Sequence, residues 1–167
     1  MILRGKAWKF GDSISTDHIA PGRYFHLRTN LPELAKHVLE DANPEFASQM
    51  APGDFVVAGR NFGLGSSREH APRIIKIAGA NAVLAQSFAR IFFRNSINVG
   101  LPVLEIDTSG IEQGDELEVD LGSGTVRNVT RDQTLTFAPL PPVMVKILND
   151  GGLVEHFKKY GDFNLEA

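Results

Sequence analysis

Gly59-Arg60-Asn61-Phe62-Gly63-Leu64-Gly65-Ser66-Ser67-Arg68-Glu69-His70 follows the apolar run Phe55-Val56-Val57-Ala58 and leads into a helix-compatible run from His70 to Ala78. The order reads as buried strand, glycine-rich turn and helix start. Three glycines let the backbone take positive φ and approach a ligand closely. The first turn of a helix leaves N–H groups without intrahelical acceptors, and its dipole favours an anion. Ser66 and Ser67 add hydroxyls, and Arg68 adds a planar fork suited to a carboxylate or phosphate. The pattern is not a P-loop, because no Lys follows the last glycine, and its glycine spacing is not that of a dinucleotide fingerprint. The plainer alternative is a turn with an N-cap, since Gly and Ser are common in both.

Outward from this stretch, the chain alternates strands and helices. Residues 1–10 read as an opening strand, and Ser13 to Arg23 as a loop rich in small polar residues. Within that loop, Asp17 and His18 fit either an active-site network or an Asx-turn beside a solvated histidine. The exposed stretch continues through Tyr24 to Asn30. Leu34, Ala35, Val38 and Leu39 keep helical spacing in a helix expected from Leu31, with a break at Asn43-Pro44 and a short helix from Glu45 to Met50. After the central helix, Gly79 supplies a stop. Ala82-Val83-Leu84-Ala85 reads as a strand parallel to 55–58.

Phe88 to Asn98 reads as a helix with Phe88, Ile91, Phe92 and Ile97 on its buried stripe. Arg90 and Arg94 share its other face, either as a solvated basic stripe or as a surface for a partner. Leu101 to Ile106 is a further strand. Runs at 117–121, 125–129 and 134–137, punctuated by glycines, read as a hairpin region. Helices are expected at 143–149 and 153–160, followed by a polar tail. The fold class is α/β, with a parallel strand-helix-strand core and an added β-hairpin region.

A chain of 167 residues fits one domain by the prior of roughly 100–200 residues each. No linker or repeat divides it, so residues 1–167 are read as a single domain. Hydrophobic content of 43% and charged content of 22% are ordinary for a globular chain. The net charge of −3 disfavours nucleic-acid binding through a general basic field. With no cysteine, neither a disulfide nor a cysteine-ligated cluster can be built from this chain alone. No apolar run approaches the ~18 residues of a membrane span. The opening residues lack the long apolar region of a signal peptide, which sets a cytoplasmic expectation.

Asn61 to His70 resembles the swivel-domain signature of the aconitase superfamily. Two further stretches strengthen the likeness. One is Ser15-Thr16-Asp17-His18-Ile19 followed by Arg28, and the other is Gln86-Ser87-Phe88-Ala89-Arg90-Ile91-Phe92-Phe93-Arg94-Asn95. The three stand in the family's order and span nearly the whole chain. In size the chain is similar to the small swivel-domain subunits of isopropylmalate dehydratases and homoaconitases. The resemblance implies a mixed β/β/α layered swivel domain and a hydro-lyase that moves a hydroxyl between adjacent carbons by losing and regaining water. It also implies a [4Fe–4S] cluster, which must be held by a large subunit in a heterodimer or heterotetramer, because this chain has no cysteine.

By the same resemblance, Ser66 would be the catalytic base as its alkoxide, and Asp17 would support the catalytic hydrogen-bond network. Ser67 and Arg68 would hold substrate carboxylate. Arg28 would read the part of the substrate away from the reacting carbons. Neighbouring helix-start amides and Arg68 would stabilise the Ser66 oxygen, as in an oxyanion hole. His18 is left without a role, and Glu69 and His70 are read as structural. An arginine at position 28 suits a distal carboxylate, whereas Tyr24, Phe25 and Leu27 could instead present an apolar wall. Isopropylmalate, homoaconitate and methylmalate-type substrates all remain open, as does a non-catalytic anion-binding module. Leucine biosynthesis is the route the isopropylmalate reading implies.

Overall fold

The computed structural model describes residues 2–160; the expected polar tail lies outside the described residues. The chain forms β1 (Ile2–Lys9), α1 (Thr16–Ile19), a 3₁₀ helix (Gly22–Leu27), α2 (Leu31–Ala35), α3 (Phe46–Gln49) and β2 (Phe55–Ala58). Then come α4 (His70–Ala78), β3 (Ala82–Ala85), α5 (Arg90–Asn98) and β4 (Val103–Glu105). The chain closes with β5 (Glu116–Asp120), β6 (Thr125–Asn128), β7 (Gln133–Thr136), α6 (Pro142–Asn149) and α7 (Leu153–Tyr160).

The strands make one seven-stranded sheet in the order β4-β3-β2-β1-β5-β6-β7. β1, β2, β3 and β4 run parallel, while β5, β6 and β7 continue antiparallel from the other side of β1. Every residue of β2 and β3 is buried, the mark of parallel strands covered on both faces. Side chains alternate between two cores. Val56, Ala58, Val83, Ala85 and Val103 pack under the helices with Ile74, Ile75, Phe92 and Ile147. Phe55, Val57, Leu84 and Leu104 pack instead against Leu117, Val119 and Val126 of the antiparallel half. The sheet therefore curls back over itself, and the layers are β/β/α. A close approach of β1 to the turn before β2 makes the curl possible. A Cβ on Gly5 would stand 2.0 Å from the Gly53 carbonyl oxygen.

Two expected helices and one expected loop differ from what is found. The run from Leu31 is helical for five residues. Val38 and Leu39 are fully buried as expected, but they sit in successive turns, with Leu39 at φ 56° and its N–H on the Ile19 carbonyl. Packing against α1, rather than helical periodicity, places them. The segment read as loop carries α1 and the 3₁₀ helix. Finally, α5 begins at Arg90, not Phe88, and Ile91 is 52% exposed instead of joining the buried stripe. Starting two residues later turns Ile91 away from the sheet; Phe92, Ser96 and Ile97 form the buried face.

Candidate active site

Three loops leave the carboxyl ends of β1, β2 and β3 side by side, where ligands gather in parallel α/β sheets. Backbone bonds bind them together. Gly63 N–H donates to Ile14 O at 2.7 Å and Thr16 N–H to Leu64 O at 2.8 Å. On the other side, Phe62 N–H donates to Ser87 O at 3.0 Å and Ala89 N–H to Phe62 O at 2.9 Å. All three sequence signatures thus meet through this short parallel bridging. The buried ring of Phe62 anchors the centre, 5.3 Å from Phe92 and 6.0 Å from Phe88 in edge-on geometry. Gly63 has φ +84°, and a Cβ there would lie 2.2 Å from the Phe92 ring, so only glycine fits.

Ser66 and Ser67 are exposed at the loop's crest. The Thr16 hydroxyl and the Arg68 N–H both donate to the Ser66 carbonyl, at 3.0 and 2.9 Å. Arg68 Nε donates to Ser66 Oγ at 3.1 Å. The same guanidinium is fixed from behind: Nη1 donates to Ala20 O at 2.7 Å and lies 3.2 Å from Asp17 Oδ1. Asp17 Oδ1 also accepts the Gly22 N–H at 3.0 Å. Asp17, Ser66 and Arg68 therefore form one connected cluster, with Asp17 acting on Arg68 rather than on Ser66. His18 is a capping residue. Its ring Nδ1 accepts the Ser15 N–H at 2.9 Å while its own N–H donates to Ser15 Oγ at 3.2 Å.

The donor set expected for the Ser66 oxygen differs in one respect. α4 begins at His70, four residues after Ser66, and carries Pro72, which has no N–H, in its first turn. The Ala71 N–H is engaged by Arg68 O. The donor on Ser66 Oγ is the Arg68 guanidinium, not an amide of α4. The helix start that faces the cleft is that of α5. A cleft of about 220 Å3 is lined by Ser66, Ser67 and Arg68 on one side and by Arg90, Ile91 and Asn95 on the other. First-turn amides have no intrahelical acceptor, and no side chain caps α5. Arg90 enters the cleft wall while Arg94 does not.

Arg28 stands apart from this cleft. It closes the 3₁₀ helix, with its guanidinium 4.3 Å over the Phe25 ring and Nη1 on Phe25 O at 3.2 Å. Phe25 in turn meets the His70 ring at 6.4 Å. Burial, then the charges of Arg68 and Arg28, hold the His70 pKa below its ordinary value. His70 thus lies within electrostatic reach of both arginines. Sequence reasoning missed Thr16, whose hydroxyl is invisible as a loop clamp until Ser66 is brought beside it. It also missed Arg90 as a cleft residue. An arginine opening an acid-free helix was the signal for it, since a cation is disfavoured at a helix start.

The fold is that of an aconitase-like swivel domain, and the chain belongs to the aconitase C-terminal domain family, which matches residues 14–109. Within it the chain belongs with the 3-isopropylmalate dehydratase small subunits. It is 64% identical to "3-isopropylmalate dehydratase small subunit 2" of Archaeoglobus fulgidus, over 99% of this chain and 100% of that one. It is 55% identical to "Methanogen homoaconitase small subunit" of Methanothermobacter thermautotrophicus, over 99% and 96%. A crystal structure of 3-isopropylmalate dehydratase from Methanocaldococcus jannaschii superposes with a TM-score of 0.92, at 43% identity over 96% of each chain.

The cysteine-free chain has no thiolate. Among the described residues, no group of three or more His, Asp or Glu side chains could hold a metal ion. This chain's residues do not fit an iron–sulfur cluster as ligands. Among the described residues no helix is long and apolar enough to cross a membrane.

Proposed function

We propose that this chain is the small subunit of a 3-isopropylmalate dehydratase, interconverting 2- and 3-isopropylmalate by dehydration and rehydration. One observation carries the reading of the site: Arg68, fixed by Asp17 and Ala20, donates to Ser66 Oγ on an open face. Ser66, as its alkoxide, takes the proton from the carbon beside a substrate carboxylate. The electron pair released forms the carbon–carbon double bond as hydroxide leaves the adjacent carbon. Returning water to the other carbon, with the proton handed back, completes the isomerisation. An isolated serine hydroxyl is too weak an acid for this role, and the Arg68 charge at hydrogen-bond distance lowers the cost of its negative form. Ser67 and the free donors of Arg68 bind the carboxylate. Having no ligand set of its own, the chain leaves the [4Fe–4S] cluster to a large partner subunit, whose surface completes the open cleft.

A homoaconitase small subunit is the second reading, favoured by the exposed guanidinium of Arg28, which suits a distal carboxylate. The test is turnover after mixing this chain with its large subunit, reconstituted anaerobically, with isopropylmalate, homoaconitate and methylmalate in parallel. Turnover in the mixture and in neither component alone is the expected result. Absence of turnover in a formed, cluster-loaded complex would return the chain to a non-catalytic module. In the same assay, Arg28→Val is expected to raise the kcat/KM ratio of isopropylmalate over homoaconitate at least about tenfold, the scale of one lost charged hydrogen bond. An unchanged ratio would remove Arg28 from specificity.

A further inference from the structure

The 3₁₀ helix that carries Arg28 is anchored unevenly. Its first half is tied to the neighbouring turn. Arg23 pairs with Asp41 at 2.8 Å and Glu40 at 3.2 Å, and the Tyr24 ring stacks on His37 at 3.8 Å. Its second half turns the other way. Phe25 is 50% exposed, carries the Arg28 guanidinium at 4.3 Å, and meets His70 edge-on at 61° between ring planes. His70 opens α4 two residues after Arg68, so its backbone is fixed relative to the Arg68–Ser66 pair. Phe25 therefore joins a long side chain, Arg28, to a ring whose position is set by the loop that carries Ser66 and Arg68.

We infer that His70 is a positioning residue for Arg28, holding Phe25 as a ring platform that sets how far Arg28 stands from Ser66 and Arg68. The role needs a flat, uncharged ring. A cation at position 70 would face both guanidinium groups, and burial together with those two charges lowers the His70 pKa, which favours the neutral ring. Substrate length is then read as the span between Arg68 at one end and Arg28 at the other. The inference rests on the proposed hydro-lyase reading and adds to it the residue that spaces its two anion readers.

Two measurements test it on His70→Ala, His70→Phe and Phe25→Ala. In the reconstituted complex, His70→Ala is expected to raise KM for homoaconitate relative to isopropylmalate by about three- to fivefold, with kcat for each unchanged, the scale of an exposed cation–π contact. His70→Phe, which keeps the ring contact, should restore the ratio. Equal changes for both substrates, or none, would overturn the inference. On the free chain, the NMR signal of Arg28 Hε should be shifted upfield by the Phe25 ring in the wild type and in His70→Phe. It should move toward the free-arginine position in His70→Ala and Phe25→Ala. If the wild-type complex turns over neither substrate, the hydro-lyase reading fails by itself. The NMR arm then decides alone: an upfield Arg28 signal retained in His70→Ala would overturn the platform.

Discussion

Ser66, the proposed base, fixes the loop through its carbonyl rather than its hydroxyl. The carbonyl accepts from Thr16 and from the Arg68 N–H, so the residue's position does not depend on its hydroxyl. Ser66→Ala should therefore keep fold and assembly while turnover of every substrate falls by roughly 10³-fold, within the range for loss of a general base. Circular dichroism and co-purification would check the first part, and steady-state rates the second. Near-normal rates from a cluster-loaded mutant complex would take the base role from Ser66. Arg68 is less exposed than its partner, with side-chain exposures of 23% for Arg68 and 66% for Asp17. Arg68 is the fixed point of the cluster, and Asp17 is the solvent-side brace.

At the scale of elements, the site exists because three loops are clamped into parallel register beyond the sheet. Phe62, Phe88 and Phe92 form the wedge beneath them. Gly63 is the tightest point of that wedge. Gly63→Ala combines a positive φ with a Cβ driven into the Phe92 ring, and should cost about 3 kcal/mol. Gly114→Ala is the matched control, because it has the same φ of +84° with nothing within 4 Å of the added Cβ. It should cost about 1 kcal/mol. Denaturant midpoints of the two variants check this; equal losses would mean that the ring contact does not limit the loop. Short helices do similar work on the other side. α1 carries Asp17 and Thr16 to the cluster within a single capped turn.

Over the whole molecule, two shielded aspartates tie neighbouring elements together, Asp115 around β5 and β6 and Asp150 between the last two helices. Asp115, 3% exposed, accepts from Asn128, the Glu112 N–H and Arg131. Burial raises its pKa, but these hydrogen bonds and the Arg131 charge outweigh that and leave it below the ordinary value. Asp150 is lowered chiefly by its bond to His156, which joins α6 to α7. A carboxyl lowered by folding binds fewer protons in the native state than in the unfolded chain near its ordinary pKa. Its contribution is therefore complete above the unfolded value of about 4 and is lost as pH falls through the lower folded value. Thermal midpoints between pH 7 and pH 2 should hold level and then drop in acid. Asp115→Asn should lower the midpoint at pH 7 and make the acid drop shallower. An unchanged acid drop would show that Asp115 does not carry it.

Apolar runs, alternation and punctuation determined the strands, the parallel β2-α4-β3 unit, the stop at Gly79 and the final two helices. Those features arise from local geometry: period-2 burial, positive φ at glycine and the ends of apolar runs. The motif residues likewise marked Ser66, Arg68 and Asp17 as candidates, because their order along the chain resembles that of a family. What folding decided is everything that depends on distance between remote segments. It bent residues 36–45 into turns by docking Leu39 on Ile19. It moved the start of α5 to Arg90 by lodging Phe88 beside Phe62. It chose the Arg68 side chain, rather than the amides of α4, as the donor to Ser66. It also set Phe25 between Arg28 and His70, residues 42 positions apart in sequence. Local propensity carries no record of such meetings, since each arises from shape and charge fitting between surfaces that the chain brings together only when folded.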